Sequence, residues 1–419
     1  MSISKSPLQD PHPNEPPQQI VDQHSTQKPN KRNEVLLITA LMFGYSLIYM
    51  DKNMISTAII PIAEQFHLST SQTGLIMSLF FLGYSLMQIP GGWLADKIGY
   101  KKVLILSLSL VAVFTFAFGF GGSLIIFILI RFFAGVGHAG YPSSTSKSIA
   151  ENFTKDRRTF IQSLILSTSG IGGILAFLIG ARLVEWNWHY AYYVLGALFV
   201  ISLLFVIFFV PNDTVVEKKK VEPKQTSFKA VLLNRNVLTL FIVMILINMA
   251  YYGNMSWLPS FLKEKFTLSL STVGTILAIN AVGGTIASLL AGILLTKFFA
   301  GKEKVLFLIS AILSAISFAG LVLTNSLALS IGLLYLLTFC ITIFFVGVFS
   351  WPHKILPGKV IGSSIGIINT GSTIGGFIAP MSFGALVSLF GGSFSIVFIS
   401  LSVVMVVAGL IALTVKTNE

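Results

Sequence analysis

Asp51 and Lys52 stand side by side in Tyr49-Met50-Asp51-Lys52-Asn53, within an apolar run from about Val35 to Ala63. At that depth an acid and a base can exchange a proton, hold an ion, or neutralise each other. A charged side chain near a bilayer centre costs several kcal/mol, so its default reading is a functional site turned toward the protein interior. The alternative is an ion pair that only holds helices together. A second place of this kind is Arg131, followed seven residues later by His138. Seven residues make two helical turns, so both lie on one face, and Tyr141 extends the same stripe. Lys147 falls on the opposite side, where Glu151 at i+4 is its expected partner.

The elements that must position these residues are membrane spans. The 419-residue chain is 54% hydrophobic and 11% charged, with a mean hydropathy of +0.83, whereas a soluble domain carries about 25% charged residues. Most apolar runs reach the roughly 20 residues needed to cross hydrocarbon. The expected fold is an all-α polytopic membrane protein with twelve transmembrane helices. They fall near 35–63, 72–95, 102–120, 123–152, 159–184 and 189–210, then 237–262, 270–297, 303–323, 326–353, 359–388 and 391–414. Residues 1–33, rich in Pro, Gln, Asn, Ser and His, read as a disordered tail. Residues 211–235, with Lys218-Lys219-Lys220, read as a linker. The bundles are then 34–210 and 236–415.

A net charge of +12 suggests nucleic acid in a soluble protein, but here the bases collect in alternate loops and follow the positive-inside rule. Lys97, Lys101, Lys102, Lys155, Arg157, Arg158, Lys302, Lys304, Lys354 and Lys359 share one side. Both termini and the linker are therefore expected to be cytoplasmic, in a cell-membrane protein that binds no nucleic acid. The single Cys340 excludes an internal disulfide framework. With few His and Cys ligands no metal site is expected, and with no nucleophile–base set neither an enzyme nor a cofactor is.

The two halves are similar. Ile171-Gly-Gly-Ile-Leu-Ala-Phe matches Ile374-Gly-Gly-Phe-Ile-Ala-Pro, and Leu183-Val184 matches Leu386-Val387 at the same offset. A duplication of six spans with the same direction predicts two pseudo-symmetric six-helix bundles with a site between them.

Between spans two and three lies Gly91-Gly92-Trp93-Leu94-Ala95-Asp96-Lys97-Ile98-Gly99-Tyr100-Lys101-Lys102. Gly99 can take positive φ in a tight turn, and Asp96 can cap a helix or meet a base. Span four carries Arg131-Phe-Phe-Ala-Gly135-Val-Gly137, whose glycines allow close helix approach. These segments resemble the two signature motifs of the major facilitator superfamily. Gly92, Asp96, Lys97, Gly99, Lys101 and Lys102 match the gating loop, and Tyr100 replaces its usual first base.

A narrower resemblance rests on Tyr49 to Asn53, on Arg131 to Pro142 and on Trp188-His189-Tyr190. These look like the anion:cation symporters, the family of galactonate-type and vesicular glutamate transporters. That resemblance implies Asp51 as a proton site and Lys52 and Arg131 as anion ligands, with His138 standing where the family has glutamate. His138 could take the proton, act as a neutral ligand, or simply join helices. Lysine at 52 keeps the charge but lacks the bidentate fork that suits a carboxylate.

Further polar and aromatic candidates for the substrate are Tyr84 and Gln88 in span two, Tyr141 in span four, and Tyr251 and Asn254 in span seven. Trp351 beside span ten and Asn369 in span eleven complete them. The expected function is proton-coupled symport of a small organic anion, a sugar acid or carboxylate, by alternating access in a monomer. The competing reading is an efflux antiporter of drugs or metabolites. Exporters of this superfamily tend to carry Gly-Pro in span five, and no proline occurs between Pro142 and Pro211. A transporter-like sensor, from a different class, would be expected to carry a folded soluble appendage or a disrupted gating loop.

Overall fold

The computed structural model describes residues 31–213, 231, 233–356 and 361–416, and every regular element among them is helical. Most of the expected tail and linker, with Lys218 to Lys220 and Lys359, lies outside the described residues. The tail's last residues differ from expectation, because α1 already begins at Lys31 (Lys31–Phe66). The first half continues with α2 (Thr70–Ile98), α3 (Tyr100–Phe118), α4 (Leu124–Asn152), α5 (Lys155–Leu175) and α6 (Ala181–Phe209). The second holds α7 (Arg235–Phe266), α8 (Leu270–Ile293), α9 (Glu303–Leu323), α10 (Leu327–Ser350), α11 (Ile361–Leu389) and α12 (Ser395–Leu413). A one-turn helix, Pro352–Ile355, follows α10.

Among the described residues, eleven continuous helical segments are long and apolar enough to cross a membrane, and one, Lys155–Phe209, has 55 residues. At 1.5 Å per residue that segment would be about 80 Å long, far more than one bilayer. It breaks at Asn187, whose backbone is extended (φ −166°, ψ 113°). The Asn187 Oδ1 accepts a hydrogen bond from the His189 amide at 2.9 Å, as a helix cap does. Two spans therefore meet there, and the count is twelve. Serines 69, 123, 269 and 326 cap α2, α4, α8 and α10 in the same manner.

In the first bundle α4 packs on α2 and α3, and α1 on α5 and α6. In the second α11 and α12 pack on α7, and α10 on α8 and α9. The internal repeat marks equivalent contacts. A Cβ at Gly172 would overlap the Ser46 carbonyl of α1, and one at Gly375 would overlap the Ile245 carbonyl of α7. The repeated Gly-Gly thus lets the fifth and eleventh helices lie against the first and seventh.

The bundles join along two seams that repeat each other in the same way. On one, α2 lies on α11, with Gly74 against the Pro380 carbonyl. On the other, α8 lies on α5, with Gly274 against the Phe177 carbonyl. Ser71 Oγ donates to Ser388 Oγ at 3.0 Å across the first seam, and Ser271 donates to the Glu185 carboxylate across the second. Phe177 and Pro380, like Glu185 and Ser388, occupy matching places in the two repeats. Lys263 Nζ, 2.8 Å from Glu64 Oε1, adds an ion pair at the same end. All these contacts lie at the end away from the chain termini.

In a Cys340→Ala background, Ser71→Cys with Ser388→Cys should cross-link on mild oxidation. Adding Gly274→Val overpacks the other seam by about 1–3 kcal/mol. The cross-link yield, read by gel mobility after protease nicking, should then fall severalfold. An unchanged yield would mean that the two seams do not close together.

Candidate functional site

Asp51 and Lys52 share a helix but not a partner. Neighbouring helix positions point about 100° apart and do not face each other, so the acid and the base look in different directions. Asp51 turns to α4, where its Oδ2 lies 3.2 Å from Arg131 Nη1 and 3.1 Å from His138 Nε2. Its Oδ1 lies 3.5 Å from the same guanidinium nitrogen. All three side chains are nearly or fully buried, at 1% exposure for Asp51, 2% for Arg131 and 0% for His138. His138 stands at ion-pair distance rather than in an aligned hydrogen bond, and Arg131 Nε is buried without a partner. The two-turn spacing on α4 brings both residues to one carboxylate.

Lys52 has no carboxylate. Its Nζ lies over the rings of Tyr84, Tyr49 and Phe80 at 4.4, 5.1 and 5.9 Å. Cation–π contacts of this kind contribute about 0.5–2 kcal/mol each, which offsets part of the cost of a charge at this depth. Arg131 Cζ lies 4.5 Å from the centre of the same Phe80 ring. Phe80 and Tyr49 are thus site residues beyond those expected. Tyr49 could have been found, because it lies three residues before Lys52 on the same helical face. Phe80, an apolar residue in an apolar helix, carries no signal in the sequence. Tyr192 of α6, its hydroxyl buried without a partner, is within electrostatic range of Arg131 and Asp51.

The rings continue into the second half. Phe81 packs on Tyr252 at 4.4 Å, and Tyr252 on Tyr251 at 5.1 Å. Tyr251 is half-exposed. Asn254 Oδ1 and Asn280 Oδ1 are buried acceptors without partners, while Asn280 Nδ2 donates to Thr338 at 2.9 Å. Gln88 and Asn369 are half-buried.

Two expected substrate contacts are committed to packing. Tyr141 is fully buried and donates to the Leu41 carbonyl at 3.1 Å, filling the space left by Gly44. Trp351 is 2% exposed and packs edge-on against Phe307 at 5.0 Å. Helical spacing places a side chain on a stripe without saying whether a neighbour fills the stripe, and here a backbone carbonyl and an aromatic ring do so.

The gating loop also finds its partners on α4. Gly99 takes φ +98°, and Asp96 Oδ1 lies 3.3 Å from Lys147 Nζ. Lys147 also donates to the Ala95 carbonyl at 2.5 Å, while its expected partner Glu151 is more distant at 3.8 Å. Tyr100, in place of the usual base, ties the loop to the start of the linker. Its amide donates to Asp213 Oδ1 at 2.6 Å and its hydroxyl to the Pro211 carbonyl at 3.2 Å, and it accepts from Asn152 Nδ2 at 2.9 Å. A Cβ at Gly92 would meet only Ser143 Cβ, at an ordinary 3.9 Å, and the side chain of Lys97 covers the ring of Trp93. Lys101 and Lys102 lie in the first turn of α3.

Twelve spans in two joined bundles, with an ion cluster enclosed at mid-depth, define a polytopic transporter fold. Residues 41–380 match the family model of the Major Facilitator Superfamily, and the chain belongs to that family. It is a family of transporters, not enzymes. Among relatives, the probable sulfoacetate transporter SauU of Cupriavidus necator is 28% identical over 392 residues, covering 87% of this chain and 89% of the relative. The cis,cis-muconate transport protein of Acinetobacter baylyi is 25% identical, covering 91% and 94%. The probable galactarate/D-glucarate transporter GarP of Escherichia coli is 26% identical, covering 92% and 96%. These relatives agree with the narrower resemblance to anion:cation symporters. A bacterial homolog of the human lysosomal transporter Spinster, solved inward-facing and occupied, superposes with a TM-score of 0.82 at 18% identity, covering 92% and 97%. That likeness concerns the fold.

Asp51→Asn should leave Arg131 buried without its counter-charge, a loss of about 3–5 kcal/mol for a broken buried pair. Thermal unfolding of the purified protein should show a clearly lower Tm, recovered in large part by adding Arg131→Gln. A single variant as stable as the parent would mean that the pair holds nothing together.

Proposed function

We propose that the chain carries a small organic anion, a sugar acid or carboxylate, across a cell membrane by proton-coupled symport. The observation that carries this reading is Lys52, a nearly buried cation held by three aromatic rings and by no carboxylate. An anion is the partner such a group lacks. The relatives support it, since their named cargoes are organic acids.

Coupling follows from the partners that Asp51 and the substrate share. While Asp51 is ionised it holds Arg131. A proton on Asp51, or passed to it through His138 at 3.1 Å, weakens that hold and frees the guanidinium for the substrate. In this reading Lys52 and Arg131 bind the anion, and Tyr84, Gln88, Tyr251, Asn254 and Asn369 meet its hydroxyls or carbon faces. Residues 34–210 and 236–415 rock against each other as a monomer, with both termini cytoplasmic and the seams sealing the outer end. The loop from Gly92 to Lys102 gates the inner end. The efflux alternative draws less support, because the cations of the cluster outnumber its single acid.

Counterflow in proteoliposomes across a panel of sugar acids, carboxylates and amino acids should reveal an accepted anion. Its accumulation should follow an imposed proton gradient and fall at least about tenfold in Asp51→Asn, while exchange persists. Accumulation undiminished without the gradient, or equal with sodium alone, would remove the coupling to protons. Tyr251→Phe and Asn369→Ala should each weaken apparent substrate affinity severalfold, and unchanged affinity in both would take the second half out of recognition.

A further inference from the structure

We infer that the anion carries two acid groups, one received by Lys52 and the other by Arg131. This rests on the reading above that the cluster binds an anion at all. Of the three groups here able to hold positive charge, Arg131 and His138 meet the single carboxylate, Asp51, while Lys52 meets only rings. Every other Asp, Glu, Lys and Arg of the described helices lies toward a helix end or beside the break at Asn187. Among the described residues no second acid reaches this depth. α10, α11 and α12 contain no ionised side chain at all.

Both cations also have unused donors. Lys52 Nζ meets only rings. Arg131 gives a single nitrogen, Nη1, to Asp51, while its Nε is buried with no partner. A guanidinium presents five N–H donors in a fixed fork, so a carboxylate or sulfonate can first meet its free edge, and a proton on Asp51 then releases Nη1 to it as well. The two cations lie over one ring, Phe80, at 5.9 and 4.5 Å from its centre. Both cations therefore border one aromatic ring, and the inferred molecule runs past that ring from one to the other.

Charge sets the count. With His138 neutral, the empty cluster carries one net positive charge, on Lys52. One acid group neutralises that charge but leaves the free edge of Arg131 unfilled. Two acid groups fill both cations and bring one negative charge too many, which a proton shared between Asp51 and His138 removes. Buried charge left uncompensated is strongly unfavourable, so the loaded site favours the two-acid molecule together with one proton.

Binding of matched pairs to the purified full-length chain, read by thermal shift and isothermal titration at neutral pH, tests this. The pairs are succinate against succinamate, and glucarate against gluconate. The two-acid member should bind at least about tenfold more tightly in the pair that fits the site. His138→Glu, which adds one negative charge, should reduce that preference to within about threefold. Lys52→Met should do the same, and removing a cation without a carboxylate keeps the fold intact if the glutamate variant does not fold. One-acid molecules that bind as tightly as two-acid molecules would overturn the inference while leaving anion transport standing. So would a preference unchanged in both variants. If no acid of either kind binds while neutral or cationic solutes do, the anion reading itself falls.

Discussion

The ion pair between Asp51 and Arg131 is the constraint on which the first bundle is organised. It joins α1 to α4 at mid-depth, at 3.2 Å and with almost no solvent. Removing water from two charges is expensive, and an apolar pair of equal volume would hold helices as well or better. Its presence is better understood as a device that has two arrangements. In the proposed cycle the carboxylate holds the guanidinium or a proton, and the guanidinium holds the carboxylate or a ligand. His138 lies beside the same oxygen, 3.1 Å away, and in the proposed cycle offers the proton a second position.

Around that pair the aromatic residues do a different task. Tyr49, Phe80 and Tyr84 let Lys52 remain at this depth without a counter-ion. A carboxylate in their place would bind the lysine firmly and compete with any anionic cargo. Ring faces attract the ammonium weakly enough for an incoming acid group to displace them. In the proposed function the rings therefore hold the cation ready without occupying it.

Much of the fold was legible in the sequence because the bilayer sets the length and polarity of each span, and because Gly172-Gly173 and Gly375-Gly376 mark the same contact twice. The pairing of Arg131 with His138 was also legible, since two helical turns must bring them to one face. What spacing could not show was occupancy. Tyr141 lies on the right stripe, yet a backbone carbonyl on α1 takes its hydroxyl. Phe80 sits between the two cations but looks like any other apolar residue of a span. The π-helical turns at Ala176–Gly180 and Leu294–Phe298 left no sequence signal either. Nor did the use of Tyr100 to hold Asp213, because the linker's path is not written in the loop motif.

The paired seams have a consequence for leakage. Gly74 on Pro380 and Gly274 on Phe177 are one contact made twice, on opposite flanks of the same pathway. Parting one flank alone would shear the bundles sideways, lose its packing and hydrogen bonds, and still leave the other flank blocking the route. Free energy is recovered only when both part together and the bundles tilt as whole bodies. Intermediate, half-parted arrangements are therefore sparsely visited. A pathway sealed in this all-or-none way admits few stray protons or ions between turnovers, as the proposed coupling to a proton gradient requires.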